Sequence, residues 1–524
     1  MMIPTEIKAM IAETAAWLWT EYGKTVVEKT AGRAVQEMKW LVGVEKYYTS
    51  LFERVGFVRI LGRREAEPLE NVFTHVNVLD KLTAEQRYDI KKLMVEFAPR
   101  DFGRFERMKR ITGEEAIAEH NKLFILGKPG AGKTTFLKHT ALRAIKHEIE
   151  KVPIFVTLKE LSDSGKAIFP FIVHQFDTHQ FPEPEAFVER VLRKGDALVL
   201  FDGLDEVNLE ENKRATLIQM LNDFVYKYSE CPYLLTCRVA ATDYSFTQFE
   251  YVEMADFDEA QMGQYVDRWF VGDEVKRLNC RRALLEDEAN QAVRELAQVP
   301  LLLALLCLVF EERNEFPPER HEIYGEAINA LLSKWDAGRN IKRDKVYQQL
   351  SLKLKKSMLA HLAAQTFAKG AYFLREDEVV RLIEAYLVGV PGLEEPDAEQ
   401  VLKAMEAQHG IFVERAHRIH SFSHLTLQEY FTARYIVDNE RRGSVERLMP
   451  FVGEDRWREV FLLTAGMLDD ATEFFEQFLQ AAGKMVAGDE QLTKLLNWAV
   501  QKGARLSLPY KAAAARAFLI FLAL

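Results

Sequence analysis

The spacing of apolar residues changes character along the chain. Near the start, Ile7, Met10, Ile11, Trp17 and Leu18 share one face of a 3.6-residue period, with Thr14 as the polar residue on that face. This predicts an opening amphipathic helix. Met38, Leu41, Tyr48, Leu51 and Phe52 predict a second helix over Arg33 to Val55, to which Trp40 and Tyr47 add aromatic surface. Two short β-like pieces, Val58 to Leu61 and Val72 to Leu79, precede a predicted helix near Ala84 to Phe97. The stretch from Pro99 to Gly103 then reads as a linker.

From Lys122 the pattern becomes short apolar runs of strand length: Leu123 to Leu126, Pro153 to Leu158, Ala197 to Phe201 and Tyr233 to Cys237. Helical segments separate them. Phe136, Leu137, Ala141, Leu142 and Ile145 carry one, and Gly165 to His179 and Glu211 to Tyr228 form others. Strands alternating with helices between Leu123 and about Met254 predict a parallel α/β sheet with helices on both faces. Beyond that point helices return. Lys342 to Lys369 and Glu376 to Leu387 are helical, and Ile411 to His420 is strand-like. Trp457, Val460, Phe461, Leu463 and Leu468 lie on a further helical stretch, continued by Leu492 to Val500 and Ala512 to Leu524. No leucine-rich, WD-type or tetratricopeptide period is present.

Composition narrows the class. At about 150 residues per domain, 524 residues suggest three or four domains. A hydrophobic share of 48% supplies a sizeable core. A formal net charge of −10 gives no global electrostatic footprint for nucleic acid, although a local basic patch stays open. Cys231, Cys237, Cys280 and Cys307 form no CxxC pair, so neither a disulfide framework nor a zinc site is indicated. Glu6, Lys8 and Glu13 stand where a signal peptide needs an apolar run. The longest apolar run, Val299 to Phe310, is too short to span a bilayer and reads as a buried helix. A cytoplasmic location is expected, with no clear nucleic-acid or membrane partner.

The chemistry centres on Gly127-Lys128-Pro129-Gly130-Ala131-Gly132-Lys133-Thr134-Thr135, which fits GxxxxGK[ST] between a predicted strand and helix. Glycines let the backbone turn so that N–H groups converge on a phosphate chain, and the helix N-terminus adds its dipole. Lys133 is placed to reach the β- and γ-phosphates, and the Thr134 hydroxyl to ligate Mg²⁺. Downstream, Ala197 to Asp202 is an apolar strand ending in an acid, the arrangement that puts a metal-binding carboxylate beside the phosphates. Asp205 and Glu206 follow at a tight turn, where either can orient or deprotonate an attacking water. Arg238 ends the next strand and can read a γ-phosphate bidentately, or simply be a surface arginine. No NKxD guanine-reading motif follows, which favours adenine. The first hundred residues hold no cluster resembling a nuclease, protease or hydrolase centre, so they read as a helical scaffold or interaction region, with a cryptic effector enzyme as the alternative.

With these residues in hand, the chain resembles the NACHT family of signal-transducing NTPases, a branch of the STAND class that includes animal and prokaryotic NOD-like receptors. The marker is Phe201-Asp202-Gly203-Leu204-Asp205-Glu206: a small residue after the metal-binding acid, then acidic residues two and three positions on. The family's TSRP-like sensor segment appears as Thr236-Cys237-Arg238-Val239, without the proline. Gln298-Val299-Pro300-Leu301 resembles the family's proline motif, which implies Pro300 packing near the base; on physics alone Pro300 is a first-turn helix residue. Phe422-Ser423-His424 with Gln428, Glu429 and Phe431 resembles the FxHxxxQEyF signature of the winged-helix domain. That implies His424 as a latch on the β-phosphate, against the plainer reading of a histidine at a helix start. His417 and His420 receive no role.

The resemblance implies a P-loop NTPase core followed by helical and winged-helix domains. The expected organisation is a helical N-terminal region (1–100), the α/β domain (101–256), a helical domain (257–340), a winged-helix domain (341–440) and a C-terminal helical region (441–524) that is either docked back on the body or a truncated sensor. The implied function is an ATP/ADP- and Mg²⁺-dependent switch, a slow NTPase that forms a homo-oligomer on activation by a ligand sensed C-terminally, in prokaryotic antiviral defence. The alternative is a turnover ATPase that remodels a macromolecular substrate, served by the same Lys133, Thr134, Asp202 and Glu206.

Overall fold

A computed structural model of the chain describes residues 5–23, 33–60, 65–79, 110–207, 211–238, 246–317, 320–329, 332, 350–390, 397–487 and 489–504. The helix expected at 84–97, the linker at 99–103 and the apolar stretch at 512–524 lie outside them. The chain divides into two units, one of residues 1–358 and 370–427, the other of 359–369 and 428–524.

In the first unit, the opening helices span Thr5–Leu18 and Arg33–Val55. Thr14 is tolerated on the apolar face because its hydroxyl donates to Met10 O at 2.9 Å. Trp40 is fully buried against Phe181 and Phe187, and Tyr47 donates to Pro153 O at 2.9 Å. Both helices therefore share the hydrophobic core of the α/β region. Strands β1 (Phe57–Arg59) and β2 (Ala66–Pro68) pair antiparallel. The β-like piece expected over Val72 to Leu79 is shorter than foreseen. Leu69–Val72 is a helical turn that starts after Pro68 and buries Leu69 and Val72, three residues apart on one face, so only Asn77–Leu79 forms strand β3.

Strands β4 (Arg110–Thr112), β5 (Lys122–Gly127), β6 (Val152–Thr157), β7 (Ala197–Asp202), β8 (Tyr233–Arg238) and β9 (Glu250–Met254) complete a seven-stranded sheet in the order β4-β3-β9-β5-β8-β7-β6. From β9 to β6 all pairings are parallel, while β3 pairs antiparallel with both β4 and β9. The sheet is thus mixed but mostly parallel. Every residue of β7 and β8 is buried, as strands covered on both faces require. Gly165, left-handed, ends a helix over Leu158–Ser164, so the helix expected from Gly165 begins instead at Ile168. A helix at Pro184–Lys194, which buries Phe187, Val188, Val191 and Leu192, was not foreseen.

After β9, Asp258 caps the Glu259–Trp269 helix: its Oδ1 accepts from Gln261 N at 2.9 Å, and Gln261 Oε1 accepts from Asp258 N at 3.1 Å. The Pro300–Arg313 helix has Pro300 at its first position and buries Leu302, Leu303, Leu306 and Phe310. Further on, β10 (Leu374–Arg375), β11 (Phe412–Ala416) and β12 (Ile419–Phe422) form a three-stranded sheet in the order β10-β12-β11 beside helices Glu376–Leu387 and Ala398–His409.

The second unit is helical, with Ser444–Leu448, Arg458–Met467, Thr472–Ala487 and Glu490–Ala504 among its helices. Its core is pinned by Trp457, which meets Phe367 edge-on and stacks on Phe451, and by Gln428 donating to Thr366 at 2.9 Å. Among the described residues no helix is long and apolar enough to cross a membrane.

Candidate functional site

Sheet order brings the site residues together. Strand β8 lies between β5 and β7, so the loop after β5 and the acid ending β7 flank the tip of β8. Gly130 takes a φ of +79°, which non-glycine residues rarely adopt, and a Cβ there would approach Leu301 Cβ to 3.0 Å. Leu301 of the Pro300–Arg313 helix therefore packs directly on the phosphate loop. Lys133 begins the next helix, and its Nζ donates to Gly127 O at 2.6 Å and Lys128 O at 3.0 Å, folding the side chain along the loop.

Thr134 Oγ1 donates to Asp202 Oδ1 at 3.1 Å, so the two groups expected to share a metal ion already touch. Thr236 on β8 donates to the same oxygen at 2.8 Å and accepts from Gly203 N at 2.9 Å. Thr236 fixes the carboxylate and the turn behind it together. In the sequence Thr236 shows only as a polar residue inside an otherwise apolar strand, and its role follows from the strand order. Gly203 leads into a 3₁₀ turn over Leu204–Glu206. There Asp205 Oδ2 lies 2.9 Å from Arg238 Nε, and Asp205 Oδ1 accepts from Arg238 N at 3.1 Å. Both side chains are buried, at 5% and 3% exposure. Asp205 thus holds Arg238 in place, and both Asp205 and the half-buried Glu206 line the cavity.

A cavity of about 540 Å³ adjoins these groups. It is lined by Pro129 through Thr135, Asp202, Gly203, Asp205, Glu206, Arg238 and Pro300, which places every predicted site residue except Gly127 and His424 on one wall or another. Gly127 instead ends β5 beneath the loop, where a Cβ would come within 3.1 Å of Met254 Cβ. Val58, Ile60 and Val72 to Thr74, distant in sequence, also line the cavity, as do Phe257 and Tyr265. No local pattern in the N-terminal region pointed to them.

His424 sits beside the loop rather than in the cavity wall. It is buried, and its Nε2 finds no hydrogen-bond partner among the described residues. Its neighbour is a buried ion pair, Lys128 Nζ to Asp256 Oδ2 at 2.6 Å. Burial, then the cations Lys128 and Arg415, push the His424 imidazole down to about 3 against the pull of Asp256. Burial would raise Asp256, but Lys128, His424 and Arg415 hold its carboxyl below the usual range. Arg415 is itself buried and donates to Ser421 Oγ at 3.0 Å and to Ser423 O. Gly410, at a φ of +61°, lies against the same loop: a Cβ there would meet Pro129 Cδ at 2.9 Å.

The residues fit a nucleotide with a divalent ion. A volume of this size suits a small ligand, the loop offers converging backbone donors, and Thr134 with Asp202 offers two oxygens for Mg²⁺. Among the described residues no group of three or more His, Cys, Asp or Glu could hold a metal ion unaided. A phosphate loop between a buried strand and a helix, facing an acid at the end of a second strand, defines a P-loop NTPase. Residues 121–273 match the NACHT domain and residues 320–436 match the winged helix-turn-helix domain C-terminal to NACHT. The chain belongs to the NACHT family of P-loop NTPases.

Solved structures similar to the chain include the Aeropyrum pernix ORC1 protein in complex with DNA, at 14% identity and a TM-score of 0.29, covering 62% of this chain and 88% of that one. Cdc6p from Pyrobaculum aerophilum matches at 11% identity and a TM-score of 0.24, covering 60% and 88%. Drosophila ORC bound to DNA matches at 14% identity and a TM-score of 0.22, covering 67% and 96%. No curated protein matches the sequence.

Proposed function

We propose that the protein is a nucleotide-dependent signalling switch that holds ADP or ATP with Mg²⁺ in the 540 Å³ cavity. Lys133 contacts the β- and γ-phosphates, and Thr134 and Asp202 ligate the metal. Glu206 orients water for slow hydrolysis, and Arg238, held by Asp205, reads the γ-phosphate. Pro300 packs against the base. The observation that carries the reading is the meeting of winged-helix residues with the phosphate loop: Gly410 lies against Pro129, and His424 lies beside the Lys128–Asp256 pair with its Nε2 unmet by any described residue. A neutral imidazole can donate one N–H to a phosphate oxygen, which supports His424 as a latch for the diphosphate state. Release of that latch frees the chain to oligomerise, and family resemblance extends the output to defence signalling in the cytoplasm of a prokaryote, triggered by a ligand sensed at the C-terminal helices.

The second reading, a turnover ATPase that remodels a macromolecule, uses the same acids and lysine but has no use for a latch on its product. Denaturing freshly purified protein and separating the released small molecules by anion exchange tests the two. Stoichiometric ADP supports the switch and settles adenine over guanine. An empty site with fast steady-state ATP turnover supports the remodelling enzyme, and neither binding nor turnover removes both.

A further inference from the structure

The hairpin of β11 and β12 carries an extra residue on β11. Glu414 faces His420 and Ala416 faces Ile419, so Arg415 has no partner position on β12 and forms a bulge. A bulge re-aims the side chain it frees. Here it turns a guanidinium inward, and Arg415 is 4% exposed. Its Nε donates to Ser421 Oγ at 3.0 Å, and its Nη2 donates to Ser423 O and, at 3.5 Å, to Phe422 O. Ser421 Oγ donates in turn to Phe422 O at 2.8 Å, and Ser423 N donates to Ile411 O at 2.7 Å. Each residue from Ser421 to Ser423 is thereby tied down. His424 comes next, just ahead of the helix over Leu425–Asp438.

Burying a guanidinium is costly unless acceptors and carboxylates answer its charge. The acceptors are those of β12 and its end. The carboxylates that support the charge against burial are Asp256, two residues past β9, and Glu253 within β9. Arg415 is not among the residues lining the nucleotide cavity. It meets instead the strand end that carries His424, and its charge adds to that of Lys128 in keeping the His424 imidazole neutral.

We propose that Arg415 is a positioning residue for the diphosphate latch: it clamps the end of β12 so that His424 is presented to the phosphate loop. This rests on the latch reading of His424 given above. A lysine cannot replace it, because one ammonium on a flexible stem lacks the planar fork that reaches a hydroxyl and two carbonyls at once. Arg415→Lys therefore keeps the charge and loses the clamp.

Calorimetric titration of the full chain with ADP and with a non-hydrolysable ATP analogue, both with Mg²⁺, tests this. The proteins compared are the wild type, Arg415→Lys, His424→Ala and the double variant. Arg415→Lys should lose about tenfold in ADP affinity relative to the analogue, and should change that ratio no further once His424 is alanine. An unchanged ratio in Arg415→Lys beside a changed one in His424→Ala overturns the assignment and leaves the latch standing. A loss of full size in the double variant also overturns it, since Arg415 then acts without His424. An unchanged ratio in His424→Ala removes the latch and this proposal with it. Should the lysine variant not fold, Ser421→Ala deletes one acceptor of the clamp and is read in the same way, at about a threefold loss.

Discussion

His424 gives the fold a pH dependence whose sign and size follow from its surroundings. Its ordinary value is 6.5, and in the folded chain burial, Lys128 and Arg415 bring it to about 3. Because the folded state resists protonation, the unfolded chain binds the extra proton, and stability falls as pH falls. The contribution is fully present above 6.5, is lost progressively toward 3 and does not change below it. Between pH 7.5 and pH 5 the ratio of the two protonation factors rises from about 1 to about 30, a loss of about 2 kcal/mol. His424→Gln keeps a polar side chain of similar size that does not titrate. Urea unfolding of both proteins, followed by tryptophan fluorescence at several pH values, isolates the effect as a difference. Other titrating groups cancel in it, including His420, which burial would lower but which Glu406, 2.8 Å away, raises. The wild type should lose about 2 kcal/mol more than His424→Gln across that window. Parallel pH profiles, or a wild type that gains stability on acidification, would refute the argument.

Lys133→Ala should abolish nucleotide binding, as read by calorimetry; unchanged affinity would remove the central claim of the proposed function. His424→Ala should weaken ADP while sparing ATP, and equal weakening of the two would dismiss the latch. Asp205→Ala leaves the buried Arg238 guanidinium without its carboxylate and should cost about 3–5 kcal/mol, seen as a lowered melting transition; a shift no larger than that of a surface substitution would mean the pair is hydrated. Gly410→Ala forces a side chain into the left-handed region and onto Pro129, at about 1–2 kcal/mol for the backbone alone. It should speed release of bound nucleotide, and an unaltered dissociation rate would separate Gly410 from the site.

Strands β5 to β8, the phosphate loop and the acid ending β7 were legible because each is encoded locally, in a run of apolar residues or in a fixed spacing of glycine, lysine and threonine. One helix start was legible at Pro300, because proline suits the first helical position. The helical turn at Leu69–Val72 was not foreseen, and its last residue fell inside the β-like piece expected over Val72 to Leu79, because so short an apolar pattern does not distinguish a helical turn from a strand. The cavity wall from the N-terminal segment was invisible for a different reason. Val72 to Thr74 reach the site just ahead of β3, which pairs with β9, and Val58 follows Phe57, whose carbonyl accepts from Lys138; nothing in their own neighbourhood records either contact. Thr236 is intermediate. Its polarity inside a buried strand was visible, but its purpose appears only once β8 is known to lie beside β7.

Why the phosphate loop should report its contents to the winged-helix residues follows from which atoms it shares. Pro129 both lines the cavity and meets Gly410. Lys128, one residue earlier, is committed to Asp256 beside His424. A phosphate chain that draws Lys128 or shifts Pro129 acts on the winged-helix contacts within one residue of the cavity wall, so no long relay is needed. A ligand moves such an equilibrium only by the difference in its affinity for the two arrangements. On the proposed reading that difference arises here: a diphosphate leaves the space beside Lys128 for His424, while a third phosphate competes with Asp256 for the same cation. Removing the competition with Asp256→Asn should therefore narrow the gap between ADP and ATP affinity.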